Sequence, residues 1–219
     1  MANWVDQDFH VVGRKPAVDR FVRAGYVRHR RGEVDDLLYL DKLCPPTRTE
    51  KRAEDSPDLA VVLALFRTRT QAMFTMQTRS DYPAGFYRRL PARWPELAFA
   101  ASVNEEMGSF GGIVIALDGE VIDLVRDYGA GYNRRAHARD IRRALDRWDA
   151  RLTGDRPWRV MPDAPWKHLS TPVDAHLDDG WWLYFRTREE MAAFRARYPS
   201  SHPMRREGRE WRRTRYPAR

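Results

Sequence analysis

Residues 107–112, MGSFGG, place three glycines around a serine directly after the acidic pair Glu105 and Glu106. Glycine-rich turns can cradle a phosphate or expose a nucleophile, and both uses require a helix N-terminus immediately behind the glycines. Here the glycines run into a β-branched segment, and Gly108 adjoins Ser109 directly, which breaks the G-x-S-x-G spacing. We therefore expect a β-hairpin or bulge at this stretch, with Ser109 as a loop residue.

Other residue types that carry chemistry are dispersed along the chain. The six histidines show no H-x-x-x-H or H-E-x-x-H spacing, and the single cysteine, Cys44, rules out a disulfide within the chain and a cysteine-based metal site. Glu105 and Glu106 point to opposite faces if they lie on a strand, so they do not form a catalytic carboxylate pair. We expect neither a metal nor a cofactor.

The segment GYVRHRR, residues 25–31, surrounds His29 with arginines and places Tyr26 three residues upstream. It resembles metal-independent CRISPR RNA-processing endonucleases, which use ferredoxin-like folds, often with a histidine near the first helix; their glycine-rich loop is similar to MGSFGG. The resemblance implies that His29, with Tyr26 beside it, acts as a general base on a ribose 2′-hydroxyl while arginines stabilise the transition state. The alternative is a basic, solvated loop without catalytic function.

Positive charge is concentrated at the C-terminus. The net charge is +8, and residues 205–219 contain seven arginines and two glutamates, so the rest of the chain is close to neutral. We call residues 205–219 the Arg-rich tail; its side chains could contact phosphates and stack on bases, which makes nucleic acid a candidate partner. The tail candidates are Arg205, Arg206, Arg209, Trp211, Arg212, Arg213 and Arg215. A disordered, solubilising tail is the alternative.

The clearest predicted helix lies within residues 131–154. Apolar residues recur at helical spacing, and arginines occupy mostly the other faces. The candidates for phosphate contact on this helix are Arg135, Arg139, Arg142 and Arg143. A solvated helix with weak ion pairs to Asp140, Asp146 and Asp149 is the alternative.

The remaining pattern predicts an α+β fold. Period-two apolar positions near the N-terminus indicate a strand, and a helix with Pro16 near its start and Gly25 at its end follows. The order strand, helix, strand, helix, strand, strand suggests an antiparallel sheet covered on one face by helices. Residues 45–58 are typical of an exposed loop, and residues 181–198 predict a second strand and helix with a capping box from Thr187 to Glu190.

The sequence contains no membrane-spanning candidate. Its longest apolar run, residues 59–66, has eight residues, whereas a spanning helix needs about 20. The N-terminus lacks the basic-then-apolar order of a secretory signal. We therefore expect a cytoplasmic protein without a membrane partner.

Two stretches carry a family resemblance. MANWVDQDFHVVGRKPAVDRF, and AMFTMQTRSDYPAGFYRRLPARWPELAFAASVNEEMGSFGG farther on, resemble the YubB-type ferredoxin-like family of bacterial plasmids and phages; Val5 and Gln7 depart from its pattern. The resemblance implies a ferredoxin-like sheet with an added hairpin over residues 1–128 and a setting in a mobile genetic element. It implies no catalytic residues.

These observations predict three parts: a ferredoxin-like domain at 1–128, a helical and strand-helix extension at 129–204 packed on it, and a disordered basic tail at 205–219. The predicted function is a non-enzymatic accessory binding module that contacts RNA or DNA through the tail and the 134–151 helix. An RNA endonuclease centred on His29 is one alternative. A protein-binding adaptor that inhibits a host system is the other.

Overall fold

The structure is a computed structural model that describes residues 3–29, 35–47, 58–79, 81–153, 158–161, 183–198, 202–207 and 210–213 of the 219-residue chain. Within these residues the fold is α+β, as predicted, with a nine-stranded and a four-stranded antiparallel sheet and several helices. No helix in the described ranges is long and apolar enough to cross a membrane.

The main sheet is built from strands β1 to β9. Their bounds are β1 Trp4–Gly13, β2 Tyr26–Val27, β3 Asp36–Tyr39, β4 Leu59–Arg67, β5 Gln71–Arg79, β6 Leu97–Glu105, β7 Phe110–Leu117, β8 Glu120–Asp123 and β9 Arg126–Asp127. The strand order is β2-β3-β4-β5-β1-β6-β7-β8, with β9 also paired to β7. The first strand therefore lies in the middle of the sheet, between β5 and β6.

The helices lie between and after these strands. Their bounds are α1 Lys15–Gly25, α2 Leu40–Leu43, α3 Ala84–Arg93, α4 Arg134–Thr153 and α5 Arg188–Arg197. The second sheet, in the order β11-β10-β12-β13, comprises β10 Trp158–Met161, β11 Leu183–Phe185, β12 His202–Glu207 and β13 Glu210–Arg213.

Helices α1, α2 and α3 cover one face of the main sheet, which we call the first face. Alternate residues of β1, including Val5 and Phe9, join apolar side chains of these helices in one buried cluster. The Phe9 ring centroid lies 6.0 Å from that of Phe21 on α1 and 5.7 Å from that of Phe86 on α3. The apolar face of β1, which its period-two pattern predicts, thus packs at these rings against the apolar face of α1, which its helical spacing predicts.

The second face is also covered, at one end, by α4, β11 and α5. Ile141 and Trp148 of α4 and Phe194 of α5 pack with Met73 and Ile115 of the sheet in a second buried cluster. Helices α1 to α3, from the first 128 residues, thus share one face of the sheet. The central strands carry apolar side chains on both faces at this end, and elements from the later part of the chain bury the second face.

Both predicted turns of the β6 to β8 region are present. Gly108 has a φ of 71° in the turn between β6 and β7, which confirms the hairpin at MGSFGG. Asp118 and Gly119 have φ values of 52° and 84° between β7 and β8. Two successive residues with positive φ suit the twist of a two-residue hairpin, and Asp-Gly favours this conformation.

The C-terminal strands differ from expectation. The backbone of β12 pairs with β10 and β13, so residues 205–207 and 210–213 lie in strands where the sequence analysis predicted disorder. The predicted loop at 45–58 lies mostly outside the described residues, as do residues 208–209 and 214–219. Pairing with β10 supplies hydrogen bonds that the tail sequence alone does not reveal.

Candidate functional site

The predicted Arg-rich helix is α4, a helix of 20 residues. Ile141, Ala144, Trp148 and Leu152 are buried against the second face of the sheet. The amide of Ala136 donates to Asn133 Oδ1 at 3.0 Å, so an asparagine caps the first turn. Apolar spacing therefore fixes which face of α4 points outward.

The outward face of α4 carries four arginines, Arg135, Arg139, Arg142 and Arg143, and all four are exposed. Residues at these spacings lie on the side of the helix opposite its buried stripe. Asp140 is a distant partner: its Oδ1 is 3.8 Å from a guanidinium nitrogen of Arg139 and 3.8 Å from one of Arg143. The outward face therefore keeps an excess of positive charge.

The C-terminal half of α4 is different because its arginines pair with the β7–β8 hairpin. Arg147 donates to Glu120 at 2.8 Å, and Arg151 donates to Asp118 at 3.4 Å. Both pairs are exposed and join the helix to the sheet edge. Uncompensated charge is thus concentrated in the N-terminal half of α4, where the helix dipole is also positive.

An aromatic and histidine cluster holds the start of α4 in place. His137 Nε2 lies 2.6 Å from the carbonyl oxygen of Leu124, so this nitrogen carries the proton and donates to it. The Tyr132 hydroxyl lies 2.8 Å from His137 Nδ1, and the Tyr132 ring centroid is 4.8 Å from that of Tyr128. These contacts therefore fix the position of the first turn of α4 and of the arginines that follow it.

The tail candidates lie only partly within the described residues. Backbone pairing places Arg205 opposite Arg212 and Arg206 opposite Trp211, and Arg213 opposite Met204, in the β12–β13 hairpin. Arg209 and Arg215 lie outside the described residues. The hairpin therefore brings four tail arginines and Trp211 into one short backbone unit.

The candidates of the endonuclease hypothesis, Tyr26 and His29, lie near Asp36. The amide of His29 donates to Asp36 Oδ1 at 2.9 Å, and the Tyr26 hydroxyl donates to Asp36 Oδ2. Burial, and then the Asp36 carboxylate, raise the pKa of Tyr26 above its ordinary value, so the phenol stays protonated at neutral pH. Tyr26 can therefore donate a hydrogen bond but is a poor base.

The structure does not bring His29 together with the glycine loop. His29 follows β2 at one edge of the main sheet, whereas residues 106–109 connect β6 and β7. Strands β2 and β6 are five positions apart in the sheet order, which at about 4.8 Å per strand corresponds to about 24 Å. A single active site built from both elements is not supported by this geometry.

Glu105 gives the glycine loop a structural role. Its Oε2 accepts hydrogen bonds from the amide and the hydroxyl of Ser109, both at 3.0 Å. Burial alone would raise the pKa of Glu105, but the bonds from Ser109 and from the amides of Met107 and Gly108 outweigh burial and lower the pKa. Ser109 is thus a partner of the Glu105 carboxylate within the turn.

Sequence reasoning missed a group of polar side chains on the second face of the sheet. Gln77 Nε2 donates to Asp6 Oδ1 at 2.8 Å, and the Thr75 hydroxyl donates to Asp8 Oδ1 at 2.9 Å. Ser102 and Asn104 of β6 stand in register beside Asp8 and Asp6. The alternation Asp6, Asp8, His10 is visible in the sequence, but a pattern within one strand does not show which side chains of neighbouring strands lie beside it.

In the described ranges, no group of three or more histidine, cysteine, aspartate or glutamate side chains is placed to hold a metal ion. Comparison with protein-family models, with curated proteins and with solved structures found no match to this chain.

Proposed function

We propose that this protein is a non-enzymatic nucleic-acid-binding module whose principal contact surface is the outward face of α4. One observation carries the proposal: Arg135, Arg139, Arg142 and Arg143 are all exposed on the N-terminal half of a helix whose opposite side is buried. Among the described residues, the ion-pair partner of these arginines is Asp140, at 3.8 Å from Arg139 and from Arg143, so the four side chains can neutralise phosphates and release their counterions. We propose that the tail arginines supply further phosphate contacts.

The composition of the helix favours phosphate contact over recognition of adenine. The α4 sequence, RRAHARDIRRALDRWDARLT, contains neither asparagine nor glutamine, the side chains suited to adenine, and its arginines suit phosphate oxygens as well as guanine. Arginine contacts to phosphate position a protein on nucleic acid but carry no sequence information. The expected binding is therefore tolerant of sequence and sensitive to salt.

We further propose that β1, α1, β4, β5, α3 and β6 form a ferredoxin-like core. The antiparallel order β4-β5-β1-β6 supports this, because two interleaved β-α-β units give this arrangement. Strands β2 and β3 with α2 are then an insertion, and β7 to β9 extend the opposite edge. We also propose that the chain belongs to the YubB-type family and to a mobile genetic element, on the basis of the sequence resemblance. A cytoplasmic location is proposed on the basis of composition.

The test compares two matched double variants in the full chain, R135Q/R139Q and R147Q/R151Q. Each removes two arginines from α4, but only the second pair is engaged with Glu120 and Asp118. Binding of labelled duplex DNA and single-stranded RNA is measured across a salt series. For R135Q/R139Q the slope of log affinity against log salt should fall in magnitude by about 1.8 for duplex and about 1.4 for single strands.

For R147Q/R151Q the slope should stay close to that of the unmodified protein. Equal slopes in all three proteins would contradict the α4 surface, and no binding at low salt would contradict nucleic-acid binding altogether. Shortened RNA in the same reactions, abolished by His29→Ala, would favour the endonuclease alternative instead. A variant with Arg212→Gln and Arg213→Gln measures the contribution of the tail separately.

A further inference from the structure

One row of residues crosses eight strands on the second face of the main sheet. Backbone pairing places its members in register, in the order Val27, Leu37, Val61, Gln77, Asp6, Asn104, Gly111 and Arg126. None of these residues belongs to the cluster that α4 and α5 cover. The row therefore marks the part of the second face that lies beyond these helices.

The β2 to β4 end of this row is apolar and exposed. Val27 is 36% exposed, and Leu59 and Leu63 on β4 are 41% and 42% exposed. Within the described residues they are three of the four exposed large hydrophobic side chains; the fourth, Met107, lies on the β6–β7 turn. Single exposed apolar residues are ordinary, whereas a contiguous group indicates an interaction surface.

A β-bulge contributes to this apolar end. The register of β4 against β5 shifts between Val62 and Ala64, so Leu63 is an extra residue in the strand. Val62 packs in the first-face cluster and Ala64 against the second-face cluster. Bulges re-aim side chains at the edge of a sheet, and here one adds an exposed leucine beside Val61.

The centre of the row is acidic and buried. Asp6 is 8% exposed, and its carboxylate accepts a hydrogen bond from Gln77 but makes no ion pair with a described residue. Burial, and then repulsion from Glu106, raise the pKa of Asp6, while the Gln77 hydrogen bond lowers it in part. A buried carboxylate without a cation is costly, and a cationic partner relieves that cost.

Asn104, the neighbour of Asp6 in the row, provides a second acceptor. Its Oδ1 is buried and has no hydrogen-bond partner among the described residues. Buried acceptors in native proteins are nearly always hydrogen-bonded, so this oxygen is an acceptor that a docked donor can use. A group with several N–H donors and a positive charge would satisfy both Asn104 and Asp6.

We propose that this surface docks a polypeptide segment of another protein that presents apolar side chains to Val27, Leu59 and Leu63 and an arginine or lysine to Asp6. Phosphate is disfavoured here because Asp6, Asp8 and Glu106 are acidic. This surface is separate from the outward face of α4, and the inference does not depend on nucleic-acid binding.

The spacing of the strands predicts how far apart the basic and apolar residues of the docked segment lie in its sequence. Asp6 lies two strands from Leu59 and Leu63 on β4 and four strands from Val27 on β2, or about 10 and 19 Å across the strands. An extended chain covers these distances in about three and six residues. The segment should therefore carry its basic residue about three to six positions from its apolar residues.

The experiment selects from a random peptide library displayed on phage, with the full chain as target. Enriched peptides should share apolar residues and a basic residue at that spacing. The best peptide is then titrated against L59S/L63S, Asp6→Asn and the control Met107→Ser, with folding checked by circular dichroism. We expect affinity to fall about tenfold or more in the first two proteins and to stay unchanged in the control and in R135Q/R139Q.

Three results would overturn the proposal. The first is the absence of enriched peptides, or enriched peptides that lack a basic residue or bind L59S/L63S and Asp6→Asn normally. The second is a concentration-dependent dimer in sedimentation that L59S/L63S abolishes and Met107→Ser retains, because a second copy would then be the occupant. The third is tighter peptide binding in R215Q/R219Q, which would assign the surface to the chain's own tail.

Discussion

Arg147 donates to Glu120 at 2.8 Å and thereby connects α4 to β8. Arg143, one turn earlier, lies 3.8 Å from Asp140, a distance at the limit of an ion pair. The same helix therefore carries arginines that are engaged and arginines that are available. Substitutions can therefore either remove available positive charge from α4 or release arginines that are now paired.

Removing the acidic partners should strengthen nucleic-acid binding. In D118N/E120Q, Arg147 and Arg151 lose their partners and become available to phosphates. Asparagine accepts the positive φ of 52° at position 118, so the turn should persist. We expect tighter binding to duplex DNA at low salt and a slope larger by up to about 1.8. A salt titration with an unchanged slope would restrict the contact surface to the N-terminal half of α4.

A buried hydroxyl on α3 should matter for stability. Tyr87 donates to Gln7 Oε1 at 2.6 Å, and Gln7 Nε2 donates to Thr78 at 2.8 Å, all in the interior. Tyr87→Phe leaves the Gln7 oxygen without a donor and should reduce the free energy of unfolding by about 1 to 3 kcal/mol. Urea denaturation measures this. Tyr82→Phe is the control, because its partly exposed partner Asp123 can turn to water, and a loss as large as that of Tyr87→Phe would contradict the prediction.

The glycines of MGSFGG should differ in their tolerance to substitution. A Cβ at Gly112 would lie 2.1 Å from the carbonyl oxygen of Leu124, and Gly112 has a φ of 151°. At Gly108, with a φ of 71°, a Cβ would meet no atom within 4 Å. Gly108→Ala should therefore cost about 1 to 2 kcal/mol for its positive φ, and Gly112→Ala clearly more. Chemical denaturation of both variants checks the order, and the reverse order would contradict the hairpin geometry.

Glu105 should stabilise the fold in a pH-dependent manner. Its pKa is lower in the folded protein than its ordinary value of 4.5, so the unfolded chain binds the proton more readily. Its stabilising contribution is complete above the ordinary value and is lost as pH falls through the folded pKa. Glu105→Gln should lower stability at neutral pH by about 1 kcal/mol and match the unmodified protein in strong acid. Denaturation across pH tests this, and Glu106→Gln, at an exposed neighbour, should not reproduce the effect.

Local sequence patterns predicted the local structure well. Pro16 and Gly25 bound α1, Asp118 and Gly119 form the expected turn, and Thr187 accepts from the Glu190 amide as predicted. Each of these features depends on residues a few positions apart, whose backbone preferences and caps act within one turn. The outward arginines of α4 were found for the same reason, since helical periodicity separates them from Ile141 and Trp148.

Features that depend on distant residues were not predicted. The buried position of Asp6 follows from its pairing with Gln77 and Asn104, which lie 71 and 98 residues away in the chain. The separation of His29 from the glycine loop follows from strand order, which joins segments that no short pattern relates. The extension at 129–204 was expected to pack on the first domain, but the face that it covers was not predicted, because alternating apolar residues indicate a buried face without identifying what covers it.

By itself, the sequence determined where β1, α1, α4, α5 and the turns on either side of β7 lie, which side of α4 is apolar, and that arginines are concentrated in α4 and the tail. These properties are set by backbone preference, periodicity and composition. Only the tertiary structure decided that both faces of the sheet are covered and that Arg147 and Arg151 pair with Glu120 and Asp118. It also decided that Asp6 lies buried on the same face as the exposed residues Val27, Leu59 and Leu63. Those outcomes depend on which distant strands become neighbours, because burial and charge pairing arise only when separate segments pack together.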